Sequence, residues 1–204
     1  MAYHQIKDLL VSGQLAFDAI YSANHFAEIL GVSRTPVREA LLQLSAEGLL
    51  IPVQGRGFKI KKFSEKQIRD FIEARKMIEA FVIERLVRVV TEQDLGRLED
   101  SLTEMVNKAL EGDAYGFLEA DKAFHMNLIH RYDNRLLVSI MENIRNLISI
   151  FGQKALASYG RTQEVINEHQ SILDELRERD GKKAVKAMTY HLNTTERYLI
   201  ESLE

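Results

Sequence analysis

The chain has 204 residues, 46% of them hydrophobic and 28% charged, with no Cys and a formal net charge of −3. These values exclude a disulfide framework, a Cys-ligated zinc site and a thiol nucleophile, and they fit a folded chain of one or two domains rather than disorder. No apolar run approaches the ~20 residues of a bilayer span, and the N-terminal residues lack the pattern of a signal peptide, so a cytoplasmic protein without a membrane partner is expected.

Residues 3–12 place Ile6, Leu9 and Leu10 at helical spacing, and Gly13 stops the pattern. A second helix over 22–30 carries Phe26, Ile29 and Leu30 and ends at Gly31. A third, from about 33 to 47, puts Val37, Leu41 and Leu44 on one stripe and ends at Gly48. Residues 49–53, a turn at Gln54-Gly55-Arg56-Gly57, and 58–61 read as a two-stranded ribbon. Pro52 confines the first strand to an edge or to its own end. Six longer helices follow, over about 65–90, 92–111, 113–130, 133–158, 161–179 and 181–203. Ser64 and Gln67 form a capping box at the first of them.

The halves differ in charge, +2 over residues 1–63 and −5 over 64–204. Arg56, Lys59, Lys61 and Lys62 crowd into the ribbon. The expected fold is mainly α: a winged helix-turn-helix of three helices and a β-hairpin over 1–63, then an all-α six-helix bundle over 64–204.

Helix, tight glycine turn, helix and basic ribbon together make a DNA-reading arrangement. Arg34 and Arg38 are four apart and share a face, opposite the apolar stripe. Ser33 can cap the third helix. The start of that helix then presents Ser33, Arg34, Thr35 and Arg38. Arginine can donate bidentately to guanine, and free helix-start amides favour phosphate. Gly55 and Gly57 allow close approach to DNA at the ribbon tip, where Arg56 can enter a minor groove.

In the remaining helices, Asp121 and His125 stand one turn apart on one face, and His169 and His191 fall on two later helices. Nitrogen and oxygen ligands without sulfur suit zinc, with nickel, manganese or iron as alternatives. The competing reading of these positions is four unrelated polar residues.

The run from Phe26 to Leu41, with Val32-Ser33-Arg34-Thr35-Pro36-Val37-Arg38-Glu39-Ala40 at its centre, followed by Ala46-Glu47-Gly48-Leu49 and Gly55-Arg56-Gly57, resembles the DNA-binding domain of GntR-family bacterial transcription regulators. The resemblance implies operator contacts from Ser33, Arg34, Thr35 and Arg38, and a wing tip at the minor groove. It departs at Asn24, where family members often carry Arg. Residues 65–204 resemble the FCD effector domain of the FadR/VanR branch, and six helices match the shorter VanR-like subgroup. Metal-binding members of that branch carry Asp-x3-His and two later His, which implies Asp121, His125, His169 and His191 as ligands. An Arg on the first effector-domain helix, here Arg75, can face the ligand cavity. Its plain alternative is a helix ion pair with Glu79.

The expected function is a ligand-responsive transcription regulator, taken as a repressor. It would be a homodimer on palindromic double-stranded operator DNA, with a divalent metal and a small carboxylate effector in its helical domain, and not an enzyme. Two alternatives stay open: a metal-dependent enzyme fused to a DNA-binding domain, and a constitutive DNA-binding dimer with a purely structural metal.

Overall fold

The computed structural model describes residues 1–203, and the chain falls into two compact units, Met1–Phe63 and Ser64 onward.

The first unit holds α1 (Ala2–Val11), α2 (Ala23–Leu30), α3 (Arg34–Ala46), β1 (Leu50–Val53) and β2 (Gly57–Ile60). Ile6, Leu10, Phe26, Val37, Leu41, Leu44, Leu49 and Ile60 are buried and form its core. The Ser22 hydroxyl caps α2 by accepting from the His25 amide, and Gly31 closes that helix at φ +64°. β1 and β2 pair antiparallel with Pro52 opposite Phe58. Phe58 also exchanges both backbone hydrogen bonds with Tyr21, at 2.7 and 2.9 Å. β1 is therefore an edge, where Pro52 costs no ladder bond. Gly57 sits at φ +134°, and a Cβ there would lie 2.3 Å from the Tyr21 carbonyl oxygen. That position requires glycine both for its dihedral and for the close approach of the Tyr21 backbone.

Six helices make up the described part of the second unit: α4 (Glu65–Leu86), α5 (Glu92–Glu111), α6 (Ala114–Tyr132), α7 (Arg135–Leu156), α8 (Arg161–Arg177) and α9 (Gly181–Glu201). The fold is mainly helical with a small hairpin, the winged helix-turn-helix and helical bundle expected from periodicity. The Ser64–Gln67 capping box is present, and Thr91 with Asp94 forms a second one at α5. α4 stops at Leu86, four residues short of its apolar pattern. Just past that end, the Arg179 guanidinium takes the carbonyls of Arg88 and Val90, at 3.0 and 3.1 Å. No helix among the described residues is long and apolar enough to cross a membrane.

Side chains such as Ile72, Ile83, Phe117, Phe124, Ile172, Leu173 and Leu192 fill the bundle core. Arg75, Glu79, Asp121, Arg145, Arg161, Glu168, His125, His169 and His191 are buried as well. Burying charge is costly unless it is paired and hydrogen-bonded. The arginines and carboxylates among them are paired: Arg75 with Glu79, Arg145 with Asp121 and Arg161 with Glu168.

Candidate metal centre and DNA-reading surface

The i,i+4 step on α6 brings Asp121 and His125 to one face, α8 supplies His169 and α9 supplies His191. One ligand atom from each lies within 4.8 Å of the other three, and all four residues are buried. His169 Nε2 stands 3.3 Å from His125 Nε2 and 3.1 Å from Asp121 Oδ1. The His125 and His191 rings stack at a centroid distance of 5.1 Å. His191 Nε2 is buried and has no hydrogen-bond partner.

The opposite ring nitrogens are all engaged. His125 Nδ1 lies 2.5 Å from Glu79 Oε2, His169 Nδ1 2.8 Å from the Val165 carbonyl, and His191 Nδ1 2.7 Å from Glu168 Oε2. An acceptor at Nδ1 holds the proton there and leaves the Nε2 lone pair to the cluster. Burial pushes His125 down to about 4, against the pull of Glu79. Burial, then the neighbouring His169, pushes His191 down to about 3. Burial raises the Asp121 carboxyl, but Arg145 and the two imidazoles outweigh it and hold it well below the usual carboxylate range. Neutral imidazoles and an ionised carboxylate are the protonation states that bind a divalent cation.

Beside this cluster lies a small cavity of about 40 Å³, with Arg75, Phe117, Asp121, Arg145, Arg161 and His191 in its wall. The two readings of Arg75 turn out to be compatible. Its Nε donates to Glu79 at 2.7 Å, and its two terminal nitrogens are buried without partners. Arg145 donates to Asp121, and Arg161 holds Glu168 through both carboxylate oxygens, at 2.6 and 3.1 Å. Sequence reasoning missed Arg145, Arg161, Glu79 and Glu168 as members of the site. Glu168 sits behind His191, with its carboxylate between that ring and Arg161.

In the first unit, Ser33, Arg34, Thr35 and Arg38 are exposed at the start of α3. Ser33 occupies the N-cap position, yet its side chain makes no cap bond, contrary to the expected role. Its hydroxyl and the first amides of α3 stay available to an outside acceptor. Gly55 and Arg56 are exposed at the hairpin tip, where Gly55 adopts φ +69°, and Gly57 is half-buried against Tyr21. No ion pair among the described residues engages Arg34, Arg38 or Arg56. Lys62 is paired with Asp18 at 2.6 Å.

Comparison with known proteins matches residues 1–60 to the family model of bacterial regulatory proteins of the gntR family, and residues 70–194 to the FCD domain. The HTH-type transcriptional regulator LutR of Bacillus subtilis is 31% identical, over 88% of this chain and 90% of its own. The HTH-type transcriptional repressor RspR of Escherichia coli is 30% identical, over 79% of this chain and 71% of its own. Among solved structures, E. coli McbR/YncC superposes with a TM-score of 0.87 at 21% identity, covering 100% of this chain and 97% of that one, a likeness of fold. With a winged head at one end and a helical bundle of this pattern at the other, the chain belongs to the GntR family of bacterial transcription regulators and carries an FCD domain.

Proposed function

We propose that the protein is a homodimeric, metal-containing regulator, acting in the cytoplasm as a repressor. It would bind a palindromic operator through its winged unit and respond to a small carboxylate bound in the helical unit. Ser33, Arg34, Thr35 and Arg38 read the major groove from the start of α3, and Gly55, Arg56 and Gly57 bring the hairpin tip to the minor groove. Asp121, His125, His169 and His191 hold the metal, with zinc favoured by a three-nitrogen, one-oxygen set of borderline donors. The single observation that supports this reading best is the buried, unpartnered His191 Nε2 beside the His125 and His169 imidazoles and the Asp121 carboxylate. Burying three imidazoles and a carboxylate together without a cation would cost stability and gain nothing.

When bound, the ion supplies Lewis acidity and open coordination positions for an anionic ligand. Arg75 offers its terminal nitrogens to the same ligand. A ligand that engages both is worth more to one arrangement of the helices than to another, and that difference moves the population of DNA-binding states. The unpartnered Arg75 nitrogens beside the cluster disfavour the reading in which the metal only staples the fold.

The test is elemental analysis of protein purified without an affinity tag, followed by operator-binding titrations of metal-loaded and chelator-treated protein with a panel of carboxylates. The expected result is about one divalent ion per chain and a carboxylate effect that disappears with the metal. Absence of any divalent metal, or a carboxylate response unchanged after chelation, would overturn the reading.

A further inference from the structure

The outer face of α3 carries more than two arginines. The buried residues Val37, Ala40, Leu41 and Leu44 mark the side of the helix that faces the core of the first unit. At 3.6 residues per turn, the middle of the opposite side falls on Thr35, Leu42 and Ala46, and all three are exposed. Arg34 and Arg38 flank that line along one edge, Glu39 and Gln43 along the other. Gln43 is engaged: it donates to Glu47 at 3.2 Å, and Glu47 also accepts from the Tyr3 hydroxyl at 2.7 Å.

Leu42 is 54% exposed. A lone exposed leucine is ordinary on a protein surface. This one stands at the centre of the face whose edge carries both arginines, one turn past Arg38 and two turns past Thr35. Beyond the Thr35 hydroxyl, the central line offers no side-chain donor or acceptor. The floor of the major groove presents donors and acceptors on every base pair, and a single kind of apolar group, the C5-methyl of thymine. A leucine pressed onto an amino or carbonyl group would strip its water and return no bond. Pressed onto the methyl, it removes apolar surface of both partners from water.

We propose that Leu42 reads a thymine in each half of the operator, through contact of its side chain with the C5-methyl. This rests on the assignment of α3 as the base-reading helix, and adds an apolar contact to its two arginines. Leu42 lies about 6 Å past Arg38 along the helix axis. Base pairs are stacked about 3.4 Å apart, so with α3 lying along the groove the thymine falls within about two base pairs of the one Arg38 reads.

Uracil differs from thymine only by that methyl, which supplies the test. The full-length protein is used to select an operator from random duplexes, and each thymine of the selected site is then replaced singly by uracil in anisotropy titrations. The expected result is one position per half-site where uracil weakens wild-type binding about three- to tenfold, the worth of burying a methyl group. Leu42→Ala should weaken binding to the thymine operator by a similar factor and bind the uracil duplex equally well. Leu42→Met, which keeps an apolar side chain of similar length, should keep the preference for thymine. Arg34→Ala should bind both duplexes more weakly and keep their ratio. Thermal melting confirms that each variant is folded. No sensitive thymine in the wild type, or the same sensitivity in Leu42→Ala, would overturn the methyl contact while leaving the arginine readout intact. Full operator preference in Arg34→Ala and Arg38→Ala, or selection of no common sequence, would overturn the base-reading face and the Leu42 contact with it.

Discussion

Glu168 Oε2 lies 2.7 Å from His191 Nδ1, and the same carboxylate holds both terminal nitrogens of Arg161. One side chain thus orients a candidate metal ligand and neutralises an arginine in the wall of the neighbouring cavity.

Replacing Glu168 with Gln should therefore act on the metal without touching it. The amide can still accept from one partner but not hold both with a full charge. Zinc affinity, read by competition with a coloured chelator, should fall roughly ten- to a hundredfold. An unchanged affinity would mean that His191 is oriented by packing alone.

Base readout is expected from the start of α3. Arg34→Ala or Arg38→Ala should cost about 1–3 kcal/mol on the operator and relax sequence preference. Lys59→Ala should weaken all DNA alike and shallow the salt dependence. Fluorescence anisotropy at several salt concentrations separates the two behaviours, and full operator preference in Arg34→Ala would contradict the assigned face.

Acid should weaken the α5–α6 contact. Burial raises the Asp94 carboxyl, but the Thr91 amide, the Arg131 guanidinium and the Thr91 hydroxyl outweigh it and hold it below its ordinary value. A carboxyl depressed in the folded state contributes stability that is present above its unfolded value and lost as pH falls through its folded value. Denaturant titrations should show the wild type losing stability from roughly pH 5 downward, and Asp94→Asn losing less over the same range. Parallel acid limbs for the two proteins would remove Asp94 from this role.

Gly57→Ala should destabilise the winged unit. The new methyl would meet the Tyr21 carbonyl at 2.3 Å in a backbone conformation that L-residues rarely adopt. A cost of about 1–3 kcal/mol is expected for the strain, with the added clash raising it. Wild-type melting of the variant, with wild-type operator affinity, would show that the hairpin can shift at no cost.

Much of the architecture was readable because periodicity and punctuation agree along this chain. Gly31, Gly112 and Gly160 all mark helix boundaries, and the Ser64 and Asn134 caps stand where their side chains suggest. The end of α4 was not readable, because the carbonyls just past it are taken by Arg179, about ninety residues away in the chain. Ser33 misled in the opposite direction: its position in sequence is that of a cap, and only the structure shows its hydroxyl unused. The four residues of the candidate cluster were legible from spacing and family resemblance. Glu79, Arg145 and Arg161 were not, since a buried charge pair leaves the same trace in sequence as a surface one.

The three imidazoles of the cluster are braced by acceptors of different kinds: carboxylates behind His125 and His191, and the Val165 backbone carbonyl behind His169. A carboxylate can be lost by a single codon change, whereas a helix carbonyl persists under almost any substitution. The orientations of His125 and His191 thus depend on Glu79 and Glu168, while that of His169 depends on no second side chain.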